Sequence, residues 1–397
     1  MPVLLYADKA ERNCEFAFEK RVVIGRGPTC DLRLDDEHAS RTHAMVYEEA
    51  GAFFLKDLES RNGTRLNGEK VLFAHLGYGD EIRVGHTRLF FVQTAPSAMV
   101  GATVGGYKLL ELLGAGGMGI VFRARRPGLK EDVALKVLHP RRAGDEKLAR
   151  QFVEQALATA RLFHPNLVNV QDAGRDRLGC YYAMELVEGP SAARVLRRLG
   201  ALKPIEALEL IIQMANALAH IHSHNLVHCD VKPANFLIAR DATAKLGDLA
   251  FARPTPAGPR IPDFLPNGRE YVWGTPAYMS PEVATGHPPT PASDLYSLGA
   301  SFFHLVAGKA PFSGSTTDEV LSRHVSEPLP DLRALRKDLP EGIAAAIERL
   351  MAKAPERRHA SAEDLLAELR TIREELRGDQ SAEPLKSLLD RWHGAAR

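Results

Sequence analysis

The strongest constraint on the fold of this chain is a change in its hydrophobic pattern. Residues 1–94 contain short apolar or alternating segments, such as RVVIGR, HAMVYEE and TRLFFVQ, separated by turn residues. No long helical pattern occurs there, so we predict a small all-β sandwich. From about residue 203, apolar residues recur at helical spacing. We therefore predict a multidomain protein, with the β-sandwich followed by an α+β region after a weakly patterned linker at 95–104.

Composition excludes several classes of protein. The 397 residues suffice for about two or three domains, and the formal net charge of +1 gives no reason to expect bulk binding to nucleic acid or membrane surfaces. Four cysteines are scattered without paired spacing, which argues against a disulfide framework or a zinc site. No apolar run reaches the length of about 18 residues that a membrane span needs. We expect a cytoplasmic protein.

Three polar clusters recur at turns of the first domain. They are Gly25-Arg26, SRTH at 40–43 and SRNGT at 60–64. Arg26 and Arg41 can donate charge-assisted hydrogen bonds to a phosphate, and Ser40 adds a hydroxyl donor. Arg61 and Asn62 lie on a predicted tight turn, where they can hold an extended peptide. For any one cluster alone, solvated arginines on hairpin turns are the commoner explanation.

In order and spacing, the three clusters together resemble the forkhead-associated (FHA) domain over residues 4–93. The resemblance implies a β-sandwich that binds phosphothreonine peptides through an arginine cluster. It therefore implies a phosphothreonine-containing protein partner. The roles it implies are phosphate contact for Arg26, Ser40 and Arg41, peptide-backbone contact for Arg61 and Asn62, and structural support for His43.

A glycine-rich stretch opens the second domain. LLGAGGMGIVFRAR contains Gly114, Gly116 and Gly119, a spacing that alone is weak and also fits a dinucleotide loop or a plain turn. Lys136 in VALK follows at a strand's distance. This order is expected when a hairpin loop covers the phosphates of ATP and a lysine on the next strand meets them.

The strongest local signal is HCDVKPANFLI at 228–238. Phosphoryl transfer needs an acid that orients the attacking hydroxyl, a carbonyl oxygen for a metal ion, and a cation for the γ-phosphate. Asp230, Asn235 and Lys232 supply these groups within six residues. Asp248 follows at a hairpin's distance and is predicted to chelate Mg²⁺. The alternative is a polar loop after a helix.

These motifs together resemble a bacterial Ser/Thr protein kinase over residues 105 to about 377. The resemblance implies lobes at 105–185 and 190–377, leaving 378–397 as a tail. It also implies ATP with Mg²⁺ or Mn²⁺ as cofactors and proteins with Ser or Thr as substrates. Besides the glycines and Lys136, the ATP-binding residues that it implies are Val121, Ala134, Met184, Glu185, Val187 and Leu237.

The same resemblance predicts the frame of the second lobe. GTPAYMSPE at 274–282 resembles the end of the activation segment. Asp294 falls where a buried helix acid braces the catalytic loop in the family. Arg358 falls where the ion-pair partner of Glu282 is expected.

Two departures from the family concern the ATP and metal site. Leu249 and Ala250 follow Asp248, where the family has Phe and Gly. Leu can fill an apolar slot, whereas Ala lacks the backbone freedom of Gly. Gln155 stands where the helix acid that pairs with Lys136 is expected. The adjacent Glu154 points about 100° away on a helix, so it cannot take that place without a register shift or a bulge.

A third departure concerns regulation. Cys229 replaces the arginine that binds a phosphorylated activation loop in the family. Between Asp248 and Gly274 the only hydroxyls belong to Thr255 and Tyr271. We therefore expect that loop phosphorylation is not the main switch.

Three functional hypotheses follow. The first is an active Ser/Thr kinase, with Asp230 and the lysines Lys136 and Lys232 as catalytic groups and with Asn235 and Asp248 on the metal. The second is an ATP-binding pseudokinase scaffold. The third is a phosphothreonine-binding module with the remainder as a passenger, which is compatible with either of the others. Retention of every residue expected to touch phosphate, metal or the substrate hydroxyl favours the first.

Overall fold

The structure is a computed structural model that describes residues 1–8, 13–93, 95–116, 119–138, 146–249, 252–255, 274–314, 316–377 and 383–395. Its contacts divide the chain into two compact units. The first comprises residues 1–157 with 170–186, and the second comprises residues 158–169 with 187–397.

The predicted β-sandwich is confirmed in the first unit. Its strands are β1 (Val3–Ala7), β2 (Asn13–Ala17), β3 (Arg21–Gly25), β4 (Leu32–Arg33), β5 (Ala44–Glu49), β6 (Ala52–Asp57), β7 (Thr64–Leu66), β8 (Glu69–Val71), β9 (Phe73–Leu76), β10 (Glu81–Val84) and β11 (Thr87–Val92). One sheet has the order β2-β1-β11-β10-β7-β8 and the other has the order β4-β3-β5-β6-β9. Alternation along β10 shows how the core forms, because Ile82 and Val84 are fully buried while Glu81 and Arg83 are half-buried.

The segment at 95–104, predicted as a linker, contains two short elements. Pro96–Met99 forms a 3₁₀ helix, and β12 (Thr103–Val104) pairs with the next strand. Met99 packs against the apolar core of the following sheet. Elements this short carry no sequence periodicity, which is why the sequence reads as weakly patterned.

The first unit also contains the β-rich part of the second domain. Its strands are β13 (Tyr107–Gly116), β14 (Gly119–Arg125), β15 (Val133–Leu138), β16 (Val170–Asp176) and β17 (Gly179–Glu185), in the order β12-β13-β14-β15-β17-β16. One helix, α1 (Glu146–Thr159), lies between β15 and β16 in the chain.

Helices dominate the second unit, as predicted. They are α2 (Ala192–Leu199), α3 (Pro204–Ser223), α4 (Pro281–Ala284), α5 (Pro291–Ala307), α6 (Thr317–Ser326), α7 (Leu332–Leu335), α8 (Glu341–Leu350), α9 (Ala362–Arg377) and α10 (Pro384–Gly394). β18 (Leu226–Val227) pairs antiparallel with β21 (Arg253–Pro254), and β19 (Phe236–Ile238) forms a short hairpin with β20 (Ala244–Leu246). Short 3₁₀ turns occur at Pro233–Asn235, Pro276–Tyr278 and Pro355–Arg357.

The long helices α3 and α5 form the centre of this unit. Both are apolar over most of their surface and their side chains are buried in one large cluster. A helix that is apolar all round belongs in a core. Among the described residues, we find no helix whose length and hydropathy would let it cross a membrane.

Candidate functional sites

A buried carboxylate holds the backbone of the loop at 228–230. Asp294 on α5 is only 1% exposed and accepts the backbone N–H groups of His228 (2.7 Å) and Cys229 (2.9 Å). His222 Nε2 lies 2.9 Å from the same carboxylate. Cys229 has a φ of +68°, which is costly for a residue with a side chain. The predicted brace is therefore present, and it maintains a strained backbone beside the catalytic candidate.

Asp230 is the centre of a side-chain network. Its Oδ1 accepts a hydrogen bond from Thr275 Oγ1 (2.8 Å), and its Oδ2 lies 2.6 Å from Lys232 Nζ. Lys232 Nζ also donates to Thr275 Oγ1 at 2.7 Å, and Asn235 Nδ2 donates to the Asp230 carbonyl at 2.8 Å. The structure thus brings together three predicted residues and Thr275, which we had not predicted. Thr275 belongs to the GTPAYMSPE motif at 274–282, and that motif is the sequence feature from which its role could have been predicted.

The β19–β20 hairpin positions the metal candidates. Gly247 N–H donates to the Asn235 carbonyl (2.8 Å), and His228 Nε2 lies 3.0 Å from the Gly247 carbonyl. The next residue, Asp248, has a φ of +62°. Leu249 is 2% exposed within the apolar core, so leucine fills the apolar slot as predicted.

The oxygen donors of Asn235 and Asp248 fit a hard cation. The side-chain amide nitrogen of Asn235 donates a hydrogen bond to the backbone carbonyl of Asp230. This contact fixes the side-chain amide, so that its oxygen can act as a metal ligand. A carboxylate and an amide oxygen suit Mg²⁺, whose remaining ligands come from water and nucleotide phosphates. Over the described residues, no group of three or more His, Cys, Asp or Glu side chains is arranged to hold a metal by itself. The residues present therefore fit a metal that is shared with ATP.

Aromatic contacts connect the strand of Lys136 with the helix α1. Lys136 on β15 is 8% exposed, and its Nζ lies 5.8 Å from the ring centroid of Tyr182. The same ring lies 5.2 Å from the ring of Phe152 on α1. On this helix Gln155 is half-buried and Glu154 is exposed. Gln155 is therefore the more buried of the two residues, which is the arrangement expected if Gln155 and not Glu154 faces the sheet.

The glycine-rich hairpin leaves room above the sheet. Gly116 pairs with Gly119 across β13 and β14. A Cβ on Gly119 would lie 2.2 Å from the Val137 carbonyl oxygen, so only glycine fits there. Among the residues that the structure describes, a Cβ on Gly114 would meet no atom within 4 Å. This open space suits the close approach of a phosphate to the backbone.

The remaining ATP candidates fall in both units. On the first, Ala134 of β15 pairs with Met184 of β17 and is buried, while Val121 and Glu185 lie on β14 and β17. On the second, Leu237 lies on β19 and pairs with Lys245, and Val187 is the residue at which the chain enters this unit after β17.

The predicted ion pair of the helical unit is present. Arg358 donates to both carboxylate oxygens of Glu282 at 2.8 Å, and Ser293 Oγ donates to the same carboxylate at 2.7 Å. Burial raises the pKa of Glu282, but the hydrogen bonds and charge of Arg358 outweigh it, so the net pKa is lowered. This bidentate pair fixes the segment around α4 to the core.

Cys229 supplies no charge to the activation segment. Burial, followed by the Asp294 carboxylate, raises the pKa of its thiol well above the ordinary value, so the side chain is neutral. Thr255 donates its backbone N–H to the Asn225 carbonyl at 2.8 Å. The predictions for Ala250 and Tyr271 lie outside the described residues.

In the sandwich, backbone contacts join the loops that carry the predicted arginines. Arg26 N–H donates to the Ser40 carbonyl (3.0 Å), and Gly27 N–H donates to the Arg41 carbonyl (2.9 Å). A Cβ on Gly25 would lie 2.4 Å from the Arg41 oxygen, so the two loops touch at van der Waals distance. The side chains of Arg26 and Arg41 are exposed. The backbones that carry the two arginines are therefore adjacent.

Ser40 and His43 connect these loops to the SRNGT turn. Ser40 Oγ accepts the backbone N–H of Arg61 at 2.9 Å, and His43 Nδ1 accepts the backbone N–H of Ser40 at 2.9 Å. His43 is fully buried, its Nε2 lies 3.3 Å from the Gly63 carbonyl, and burial lowers its pKa. A neutral imidazole with this fixed tautomer supports the site, which is the role predicted for it.

Asn62 and Asp57 complete the turn. Asn62 Nδ2 donates to the His38 carbonyl at 2.8 Å. Asp57 accepts hydrogen bonds from the backbone N–H and the hydroxyl of Ser60, at 2.9 and 2.6 Å. All five predicted phosphothreonine-binding residues therefore lie on loops that contact one another.

Comparisons with known proteins identify both domains. Residues 107–371 match the sequence model of the protein kinase domain, and residues 22–85 match that of the FHA domain. The serine/threonine-protein kinase PknA of Mycobacterium tuberculosis is 36% identical over 297 residues, covering 72% of this chain and 67% of PknA. The crystal structure of the Mycobacterium tuberculosis PknI kinase domain aligns at 28% identity and a TM-score of 0.53, covering 68% of this chain and 98% of that one. Rad53 1–466, solved in complex with AMP-PNP, covers 92% of this chain at 24% identity and a TM-score of 0.53, which is a likeness of fold.

Proposed function

This chain belongs to the protein kinase family and carries an FHA domain ahead of its kinase domain, and from that premise we propose how its own residues handle phosphate. It is a serine/threonine protein kinase that transfers the γ-phosphate of ATP to proteins, and its FHA domain docks it on phosphothreonine-containing partners. Both resemblances drawn from the sequence are confirmed.

In the proposed mechanism, Asp230 orients the hydroxyl of the substrate Ser or Thr and receives its proton. The single observation that carries this role is the buried network in which Thr275, Lys232 and Asn235 fix the Asp230 side chain and backbone. A base held in this way reaches the transition state without reorganising. The ammonium of Lys232, 2.6 Å from the carboxylate, also offsets charge that develops on the transferred phosphoryl group.

We propose Mg²⁺ as the metal, with Asn235 and Asp248 as its protein ligands. Held there with ATP, the metal would supply positive charge that offsets the negative charge of the phosphates. Lys136 is proposed to bind the phosphates from the β-rich part, beside the open space over Gly114. Gln155 can orient Lys136 by hydrogen bonding but adds no negative charge, so we propose an active enzyme with weaker support for this lysine.

The proposal for the FHA domain is that Arg26, Arg41 and the Ser40 hydroxyl hold the phosphate. Arg61 and Asn62 then hold the peptide backbone beside it. The joined loops support this assignment, because the donors are placed before the ligand arrives. The proposed partner is a separate phosphoprotein.

Phosphate transfer tests the catalytic proposal. The full chain is incubated with labelled ATP, Mg²⁺ or Mn²⁺ and a basic protein substrate, beside the Asp230→Asn variant. We expect the variant to lose transfer by a factor of about 10² to 10⁴, the usual contribution of a positioned base. ATP binding, followed by thermal shift, is expected to persist. Equal transfer by both proteins would refute the role of Asp230, and ATP binding without transfer by either would favour a pseudokinase.

A further inference from the structure

Four cations lie side by side on the outer face of the six-stranded sheet of the FHA domain. Strand register places Lys70 of β8 opposite Arg65 of β7, Arg65 opposite Arg83 of β10, and Arg83 opposite Arg88 of β11. Residues that are directly opposite in register point to the same face of a sheet. We call these four residues the cationic row.

The cationic row is unusual in energetic terms. Like charges directly opposite on neighbouring strands destabilise a sheet. Burial, then the charges of Arg88 and Arg65, lower the pKa of Arg83. Arg88 lies 3.6 Å from Glu81, but this pair is largely solvated and therefore weak. The row concentrates positive charge in a chain whose net charge is only +1.

Backbone contacts hold two of these side chains in place. Arg65 Nη1 donates to the Gly68 carbonyl at 3.3 Å, and Arg83 Nε donates to the Gly85 carbonyl at 3.2 Å. The two arginines in the middle of the row are therefore held in place before a ligand arrives.

One end of the cationic row reaches the phosphothreonine loops. The Lys70 side chain lies over Gly63 of the SRNGT turn, because a Cβ on Gly63 would be 2.1 Å from Lys70 Cε. Arg65 follows the same turn directly in sequence. A peptide held at Arg61 and Asn62 therefore starts beside Lys70.

We propose that the cationic row binds an acidic segment of the phosphoprotein whose phosphothreonine occupies the FHA loops, an inference that rests on the proposed phosphothreonine role. Four strands spaced about 4.8 Å apart give the row a length of about 14 Å. An extended chain advances about 3.4 Å per residue, so a segment of about four acidic residues matches it. Continuity with the peptide loops favours a protein segment over a nucleic acid or a lipid surface.

The test compares peptides on the full-length chain. Three peptides are titrated: a phosphothreonine peptide with Asp and Glu on both sides, the same peptide with Asn and Gln, and the acidic peptide without phosphate. The variant is Arg83→Gln/Arg88→Gln. Its matched control is Lys20→Gln/Lys56→Gln, which removes two exposed cations away from the row, Lys56 being on the other sheet.

We expect the acidic phosphopeptide to bind about tenfold more tightly than the neutral one at low salt, because several weak surface pairs add and salt screens them. The advantage should disappear in Arg83→Gln/Arg88→Gln and persist in the control. Thermal unfolding checks that the variant is folded. Its Tm should not fall, because the substitutions remove two like charges that lie opposite each other. Equal affinity for both phosphopeptides, or an advantage that survives the Arg83→Gln/Arg88→Gln change, would overturn the proposal.

The two proposals fail separately. If the wild type binds both phosphopeptides equally, only the cationic row is refuted. If the acidic peptide binds equally well with and without phosphate, the phosphothreonine role is refuted. The cationic row can still be tested in that case, because binding of the unphosphorylated acidic peptide should weaken in Arg83→Gln/Arg88→Gln. Tighter binding of duplex DNA or of phosphatidylserine vesicles than of the acidic peptides would assign the row to another partner and overturn the inference.

Discussion

The catalytic loop and the FHA loops are both proposed to act on phosphate, but their side chains are held in different ways. Asp230 and Asn235 are 5% and 9% exposed and are fixed by side-chain partners. Arg26 and Arg41 are exposed, and only the backbone that carries them is fixed. Chemistry needs groups that do not move during the reaction, whereas reversible binding needs donors that a ligand can reach.

This contrast explains why the departures from the family pattern do not by themselves imply an inactive enzyme. Leu249 fills its apolar slot, and Cys229 keeps its backbone bonded to Asp294. Neither residue belongs to the side-chain network around Asp230. Gln155 lies on α1 in the first unit, and its proposed effect is on Lys136 alone.

The largest effect is expected from the brace of the buried network. Asp294→Asn removes a charged acceptor from two backbone N–H groups and replaces one oxygen by an N–H donor. With about 1.5–3 kcal/mol for each hydrogen bond to a charged group, we expect the free energy of unfolding to fall by about 3 kcal/mol or more. Urea unfolding and phosphate transfer measure the change. Asp390→Asn is the control, because Asp390 is an exposed carboxylate on α10. Equal losses of unfolding free energy in the two variants would refute the claim that burial makes Asp294 important.

The exposed site should respond in affinity and not in stability. Arg26→Ala/Ser40→Ala is expected to weaken a phosphothreonine peptide about a hundredfold, since two charge-assisted or hydroxyl contacts to phosphate are lost. Isothermal titration measures this, and the kinase activity on an unphosphorylated substrate should not change. Unchanged peptide affinity would refute the assigned phosphate contacts.

Acid should destabilise the helical unit through His324, a fully buried residue on α6. Burial lowers the pKa of His324 from about 6.5 to about 4, so the folded state binds fewer protons than the unfolded state between these values. Stability is therefore greatest above about pH 6.5 and is lost as the pH falls towards 4. Between pH 7.5 and 5, His324 accounts for about 2 kcal/mol. Urea unfolding at both values measures the loss, and His324→Gln should reduce it. The same loss in His324→Gln would contradict the assignment.

The smallest effect sharpens the account of Lys136. Gln155→Glu places a carboxylate at the inward position of α1 and should raise kcat/KM by up to about tenfold, because the ion pair with Lys136 belongs to the active state of the family. Glu154→Gln, an exposed position on the same helix, is the matched control. Steady-state kinetics with ATP as the varied substrate tests both. A loss of activity in Glu154→Gln alone would indicate that Glu154 is the acting acid.

Much of this arrangement could be predicted from local sequence. The motifs around Asp230 and Ser40 each lie within a few residues, so their chemistry shows directly in the sequence. The apolar character of Leu249 likewise predicted its burial. The assigned roles of the site residues stay predictions, since no ligand contact bears on them.

What could not be predicted depends on pairing between distant segments. Thr275 reaches Asp230 across 45 residues, and Arg65 meets Arg83 only through the register of β7 and β10. Register follows from the turns and from the whole core, so a single strand does not reveal its neighbours. The 3₁₀ helix at Pro96–Met99 could not be predicted for another reason, because a single turn is too short to show a helical period in its apolar residues.

The most direct test of the account is transfer to a substrate that carries its own docking site. Two peptides with the same acceptor serine are compared, one with a phosphothreonine and one with threonine at a distant position. We predict a lower KM for the phosphothreonine peptide with the same kcat, loss of that difference in Arg26→Ala/Ser40→Ala, and no transfer to either peptide by Asp230→Asn. Equal KM values would contradict docking through the FHA domain, and transfer by Asp230→Asn at the wild-type rate would contradict the proposed catalyst.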